Sequence, residues 1–482
     1  MVFPVVGGDG KPTGYEISNS VRYNDDDSPE LSKSPSSASN RRTWTWSCWI
    51  KRSTISAFNV WGAGNSVDDR IHFDFNTDGS FQSEAKISGS EVMKLSGTPN
   101  LRDVSAWYHL VWRVDTTQST EADRVRIYVN GNQITFTSST NFPNQNLEME
   151  INNTSNHAIG KRSYADSNFF DGYMAEVYFA DGQSYAPTTF AETDDNGVWI
   201  PKEAKDDVSF GTNGFYMEFK QTGGSANSSG IGADTSGQDN HFNVGNLAAT
   251  DITTDTPTNN FCTLNPLIAP PNQAPPTYSE GNTVASINAN DFVVSNFNPS
   301  NGKWYWEVKY TSESSNDDGM LGIVKVNDTT DWIYDLGTNN RYFGQNDGSW
   351  GFYEGNGNLY HNGSSSGYGN SYTANDIIMF AMDLDNAKLY IGENGTWHNS
   401  GDPTSGATGT GAISIDSSSE YVVGASSATS ESGGRTCGFS FNFGNPPFSI
   451  SSGNSDGKYG NFEYAVPSGY YSLCTKNLAE FG

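Results

Sequence analysis

Cations are scarce in this chain. Its 482 residues carry 27 Lys and Arg against 55 Asp and Glu, a formal net charge of −28. That balance argues against a nucleic-acid partner, because a phosphate backbone is bound by a basic surface. It disfavours an anionic membrane surface for the same reason. Charged residues of both signs make up only 17% of the chain. A coiled coil or helical bundle would need far more Ala, Glu, Lys and Leu. No stretch approaches the ~18 consecutive apolar residues that span a bilayer, so membrane insertion is not expected. Met1–Gly10 has neither the basic start nor the long apolar run of a secretory leader. Cysteine is sparse too: Cys48, Cys262, Cys437 and Cys474 form no CxxC pair. Zinc and dithiol redox motifs are therefore absent. Reduced, structural thiols are the expectation, with a Cys262–Cys474 disulfide as the minor alternative.

Aromatic residues are abundant at 13%, with 12 Trp, 24 Tyr and 27 Phe, and glycine reaches 51. Together with frequent Asn, Ser and Thr, this composition predicts short strands joined by tight turns. In the first half, TWTWSCWIKR (Thr43–Arg52), WYHLVWRVD (Trp107–Asp115), RVRIYV (Arg124–Val129), FDGYMAEVYF (Phe170–Phe179) and FYMEF (Phe215–Phe219) read as strands. Asn130-Gly131 after the third is a hairpin signal, because a type I′ turn needs positive φ at both central residues. Ile134–Phe136 should begin the return strand. Residues 223–279 are rich in Gly, Ser, Thr, Asn and Pro and read as a linker that packs along the domains. Its Pro-rich part, 269–276, should be extended. Strands resume with WYWEVKY (Trp304–Tyr310), MLGIVKV (Met320–Val326) and DIIMFAMDLDNAKLYI (Asp376–Ile391), the last turning at Asp385-Asn386. The pattern predicts an all-β chain of two tandem antiparallel β-sandwich, jelly-roll-like domains. The expected layout is an arm over 1–14, a sandwich over 15–222, the linker over 223–279 and a second sandwich over 280–482.

The ordered series RTWTWSCWIKR, AWYHLVWRVDTT, RVRIYVNGNQI and FFDGYMAEVYFADGQ resembles the concanavalin A-like, laminin-G-like jelly roll. GKWYWEVKY, NDIIMFAMDLDNAKLYIGENGTW and FNFGNPPF resemble an SPRY domain. With the opening YEISNSVRYN and the link DTPTNNFCTLNP, the combination looks like virion proteins of tailed bacteriophages. That resemblance implies a tail or capsid fibre or appendage on the phage particle surface, made in the host cytoplasm. It implies other virion proteins and a host surface glycan or receptor as partners, and a homo-oligomer, trimeric if a fibre. A capsid decoration without receptor binding is the first alternative, and a polysaccharide-degrading enzyme the second.

Catalytic constellations are weak. Glucanases of the first fold need paired carboxylates, arranged in the laminarinase type as E-x-D-x-x-E. The nearest segment, Glu148-Met149-Glu150-Ile151-Asn152-Asn153, has Glu at the middle acid and Asn at the last. None of the six histidines lies beside a G-x-S-x-G elbow. His109 sits in a Trp-rich strand and reads as a satisfied, half-buried residue. No enzyme activity is expected. For metal, the first resemblance implies Ca²⁺ held by loop carboxylates and carbonyls. Asp25, Asp26 and Asp27 form the densest acidic loop there, although ordinary polar turns explain them as well. For sugar, exposed aromatics stack on pyranose faces while amides and carboxylates reach hydroxyls. Trp332, Tyr334, Tyr342, Trp350 and Tyr353 are the candidates, with core packing the competing reading for Trp350 and Tyr353. Trp44 with Trp46, and Trp304 with Trp306, share strand faces and should be core.

Overall fold

Asn130 and Gly131 take φ of 46° and 77°, so the two-residue hairpin forms as the dipeptide requires. Its return strand is only Asn132–Gln133, paired with Val129 and Tyr128. At Ile134, which is buried, the chain leaves that sheet. Thr135–Phe136 then pairs with Thr98 and Gly97 of the opposite sheet. The expected return strand over 134–136 is thus a crossing between layers, driven by burial of the Ile134 side chain between them.

The computed structural model describes residues 14–137, 141–268, 275–288, 291–311, 319–326, 342–427 and 436–482. Strands dominate, their pairings in the sheets are antiparallel, and Thr475–Phe481 is the α-helix among the described residues. The chain divides into two units, with the boundary between Thr258 and Asn259.

The first unit stacks two eight-stranded sheets. One is centred on Thr43–Arg52, flanked by Trp107–Asp115 and Gly172–Asp181. The other runs through Ser90–Thr98, Phe81–Ile87, Arg70–Phe75, Phe58–Gly64, His157–Ile159 and Glu30–Lys33. Neighbours far apart in sequence give the jelly-roll crossing pattern. Strand alternation decides the core. Trp44 and Trp46 pack with Trp61, Phe73 and Trp112 between the sheets, while Trp49 lies on the opposite face with Ala175 and Ala191. Ile231, Phe242 and Leu247 join the inter-sheet core, and Asn243–Gly245 adds an edge strand beside Glu30–Lys33. Those residues lie within 223–279.

The second unit repeats the plan. Its first sheet carries Val284–Asn288, Thr436–Asn442, Lys303–Tyr310, Ile377–Asp383 and Lys388–Glu393 in that order. Trp304 and Trp306 are fully buried, and the Trp306 ring stacks on Phe380 at 5.1 Å. The turn at Asp385-Asn386 is braced by Asp383, whose carboxylate accepts from the Asn386 backbone N–H at 3.0 Å and amide at 2.8 Å. Asn259–Ile268 packs here: Phe261 bridges to Cys474, and Leu264 enters the core. The four cysteines are buried, and none of them is in a disulfide.

Candidate functional site

The second sheet of this unit runs Phe292–Val294, Tyr421–Ser427, Gly319–Lys325, Ser349–Tyr353, Asn358–His361, Ser364–Gly367. Along Ser349–Tyr353, alternation sends Trp350 and Phe352 into the inter-sheet core and Tyr353 to the other face. Gly351 pairs with Tyr360 on the neighbouring strand. A Cβ on Gly351 would meet the Phe343 carbonyl oxygen at 2.1 Å. Glycine there lets the segment Tyr342–Gly344 lie flat across the sheet. That segment is pinned by two hydrogen bonds: Phe343 N–H donates to Ser426 Oγ at 2.9 Å, and Gly344 N–H donates to Ser349 Oγ at 2.8 Å. Phe343 is buried against Met320, Val324 and Val422.

The result is a ridge of three half-exposed tyrosines. Tyr360 stands at right angles to both Tyr342, at 5.7 Å, and Tyr353, at 5.9 Å. Perpendicular rings support one another edge to face and leave a stepped aromatic surface. Burial raises the Tyr342 and Tyr353 hydroxyl pKa values, so both hydroxyls stay protonated and able to donate at neutral pH. Such a ridge fits a sugar ring, which offers C–H groups on one face and hydroxyls around its rim.

Of the five aromatic candidates, the structure brings Tyr342 and Tyr353 together. Tyr360 is the member that sequence reasoning missed. Trp350 is corrected: it is only 2% exposed and sits in the core, stacked on His361 at 4.4 Å. It has no free face for a ligand. Trp332 and Tyr334 lie outside the described residues. Asp25, Asp26 and Asp27 form a single 3-10 turn. At about three residues per turn their side chains splay in three directions, and Asp27 is engaged by the Asn24 amide at 2.9 Å. Among the described residues no group of three His, Cys, Asp or Glu is placed to hold a metal ion.

Glu148 and Glu150 are each held by an arginine. Met149 and Ile151 anchor the segment in the core. Glu148 faces Arg42 at 2.8 Å, and Glu150 faces Arg41 at 3.3 Å and the Asn153 amide at 3.1 Å. Ser47 and His109 form a closer imitation of a catalytic dyad, with Oγ and Nε2 2.8 Å apart. The Trp199 indole N–H, a donor only, points at His109 Nδ1 at 3.2 Å. Nδ1 must therefore hold the lone pair, and Nε2 carries the hydrogen. Burial holds the His109 pKa down at about 3, so the ring stays neutral. His109 donates to Ser47 and cannot take its proton.

Nearby, Glu176 adopts φ 52° at a bulge in its strand. Its carboxyl accepts from the hydroxyls of Tyr216 at 2.5 Å, Tyr178 at 2.9 Å and Tyr15 at 3.2 Å. Desolvation outweighs those donors and raises its pKa to about 7. The folded unit therefore prefers the protonated acid. This preference adds stability below the unfolded carboxyl pKa and is lost as pH rises through about 7. Over that window it amounts to roughly 3 kcal/mol. Glu176→Gln mimics the neutral acid. It should melt several degrees above the parent at pH 8, with the gap closing by pH 4. A gap that does not change with pH would rule this out.

Residues 25–184 match the model of the concanavalin A-like lectin/glucanases superfamily, and residues 303–413 match the SPRY domain model. No curated protein matches the chain. Among solved structures, the SPRY domain of human HERC1 is 16% identical, covering 37% of this chain and 96% of its own, with a TM-score of 0.28. A native heptameric SAP-like pentraxin from Limulus polyphemus is 13% identical over 36% of this chain and 81% of its own, TM-score 0.26. A Bacteroides ovatus protein provisionally named carbohydrate-binding is 14% identical over 36% of this chain and 46% of its own, TM-score 0.27. The first β-sandwich unit thus contains the segment similar to the concanavalin A-like lectin/glucanases superfamily, and the second the segment similar to the SPRY domain.

Proposed function

We propose that this protein is a non-enzymatic structural component of a tailed-phage particle that binds host-cell surface glycans, with the tyrosine ridge as a contact surface. The observation that carries the binding role is the ridge itself, three half-exposed rings, one on the pinned segment Tyr342–Gly344 and two on neighbouring strands. Glu148 and Glu150 are each engaged by an arginine, and His109 turns its Nε2–H rather than a lone pair toward Ser47. The phage assignment is supported by the opening YEISNSVRYN, the link DTPTNNFCTLNP and the order of the two domains. On a particle, repeated copies would turn weak single contacts into firm attachment. Other virion proteins and further copies of this chain are the partners this role requires.

The test is a glycan array of bacterial surface polysaccharides, run with the parent and with Tyr353→Ala/Tyr360→Ala. Loss of two stacking rings should weaken binding at least tenfold, about 1.4 kcal/mol, with little change in melting. Equal binding by parent and variant would remove the ridge from the account. Firm attachment to purified capsids without binding to any glycan would leave the decoration role in its place.

A further inference from the structure

The second unit leaves one sheet edge open. Ser364–Gly367 is the last strand of its six-stranded sheet, and all four residues are exposed. It is the longest edge strand of the described sheets, the others having two or three residues. The turn before it is Asn362-Gly363, with φ of 50° and 68°, a two-residue hairpin like that at Asn130-Gly131. This turn sets the hydrogen-bond parity. His361 and Ser364 are its closing pair, so they exchange both backbone hydrogen bonds. Ser366, two residues on, also faces inward, opposite Leu359. Ser365 and Gly367 turn their N–H and C=O groups outward. No backbone group among the described residues meets them.

Sheets commonly guard such an edge with proline, lysine, an inward-pointing charge or a bulge. This edge has none of them. Its register against Asn358–His361 is unbroken. Asn358–Gly369 reads NLYHNGSSSGYG and contains no Asp, Glu, Lys or Arg, in a chain of net charge −28. Two such acidic chains can therefore approach here without setting like charge against like charge. The parity also makes the edge self-complementary. Turned about a two-fold axis through Ser366, the strand runs antiparallel to its own copy. Ser365 then exchanges both backbone hydrogen bonds with Gly367 of the second copy, and Gly367 does so with Ser365. Every outward group of the strand is met, and Ser366 lies opposite itself. Tyr360 pairs with Ser365 one strand further in, so the two tyrosine ridges come to lie on the same side of one continuous sheet.

We propose that Ser364–Gly367 is the contact through which a second copy of this chain pairs edge to edge, in this two-fold register. The pairing does not depend on what the ridge binds. A contact this small is weak and concentration-dependent, so it is read best by trapping. The test uses the full chain carrying Ser366→Cys, mildly oxidised at high protein concentration; the native thiols are buried. The register sets the introduced thiols on facing positions of a non-hydrogen-bonded pair, with Cβ atoms about 4.5 Å apart, where a disulfide closes. A disulfide-linked dimer should form. Ser364→Cys lies two residues off the axis, and its thiols should link at least about tenfold more slowly, because the Cβ atoms are then out of reach. Adding Ser365→Pro to Ser366→Cys removes an outward N–H and leaves the inward ladder intact. It should slow linking by a similar factor, with the melting temperature unchanged. The proposal is overturned if Ser366→Cys and Ser364→Cys link at the same rate, or if Ser365→Pro makes no difference to linking.

Discussion

Lys51→Met should destabilise the first unit by about 3–5 kcal/mol, the range for removing one partner of a buried ion pair. Lys51 and Asp255 are in direct contact, and both side chains are essentially inaccessible to solvent. The lysine ammonium also lies 4.6 Å from the Tyr173 ring centre, while the Trp107 indole donates to Asp255 at 3.1 Å. Methionine fills similar volume but leaves the carboxylate buried without its cation. Lys51→Met/Asp255→Asn removes both charges and should recover much of the loss, because desolvating an isolated charge is the dominant cost. Calorimetric melting of the four proteins of this cycle gives the coupling directly. A single-variant loss under about 1 kcal/mol would show that the pair is worth no more than an exposed one. The pair also fastens Asp255, far along the sequence, to the central strand Thr43–Arg52.

Trp306→Ala should cost the second unit about 3–5 kcal/mol, through lost transfer energy and the cavity left behind. The ring is wholly buried and parallel to Phe380 within 3°. Its strand, Lys303–Tyr310, pairs with both Ile377–Asp383 and Thr436–Asn442. Collapse around the vacancy is restricted because strands on both sides hold the position. The indole nitrogen lacks a hydrogen-bond partner, so Trp306→Phe removes that unmet donor along with some volume and should cost far less than alanine. Hydrogen exchange at Lys303–Tyr310 localises the effect. Unchanged protection in Trp306→Ala would place the core elsewhere.

Much of this architecture was legible because β-strands read out by alternation. TWTWSCWIKR and WYWEVKY declare their buried tryptophans by parity alone, and Asn130-Gly131 declares its turn by backbone preference. The same parity separates Trp350 from Tyr353, two candidates that looked alike as aromatics in a glycine-rich run. Tyr360 escaped notice because NLYHNGSSSG is polar and Gly-rich, and only pairing with Gly351 brings the ring to the ridge. Ile134 gave no local sign that it would carry the chain across layers, because a buried isoleucine is equally at home at the end of either sheet. Glu176 was least predictable: a glutamate at positive φ in a strand has no sequence signature, and its tyrosine cage is assembled from three separate segments.

Whether this protein holds saccharide without cutting it is tested most directly by incubating it with bacterial surface oligosaccharides and following binding and products in one sample. Saturation-transfer NMR should show contact to sugar ring protons, weakened by Tyr353→Ala/Tyr360→Ala, while chromatography shows the oligosaccharide unchanged after prolonged incubation. New reducing ends that accumulate with protein concentration would contradict the account and turn attention back to its carboxylates.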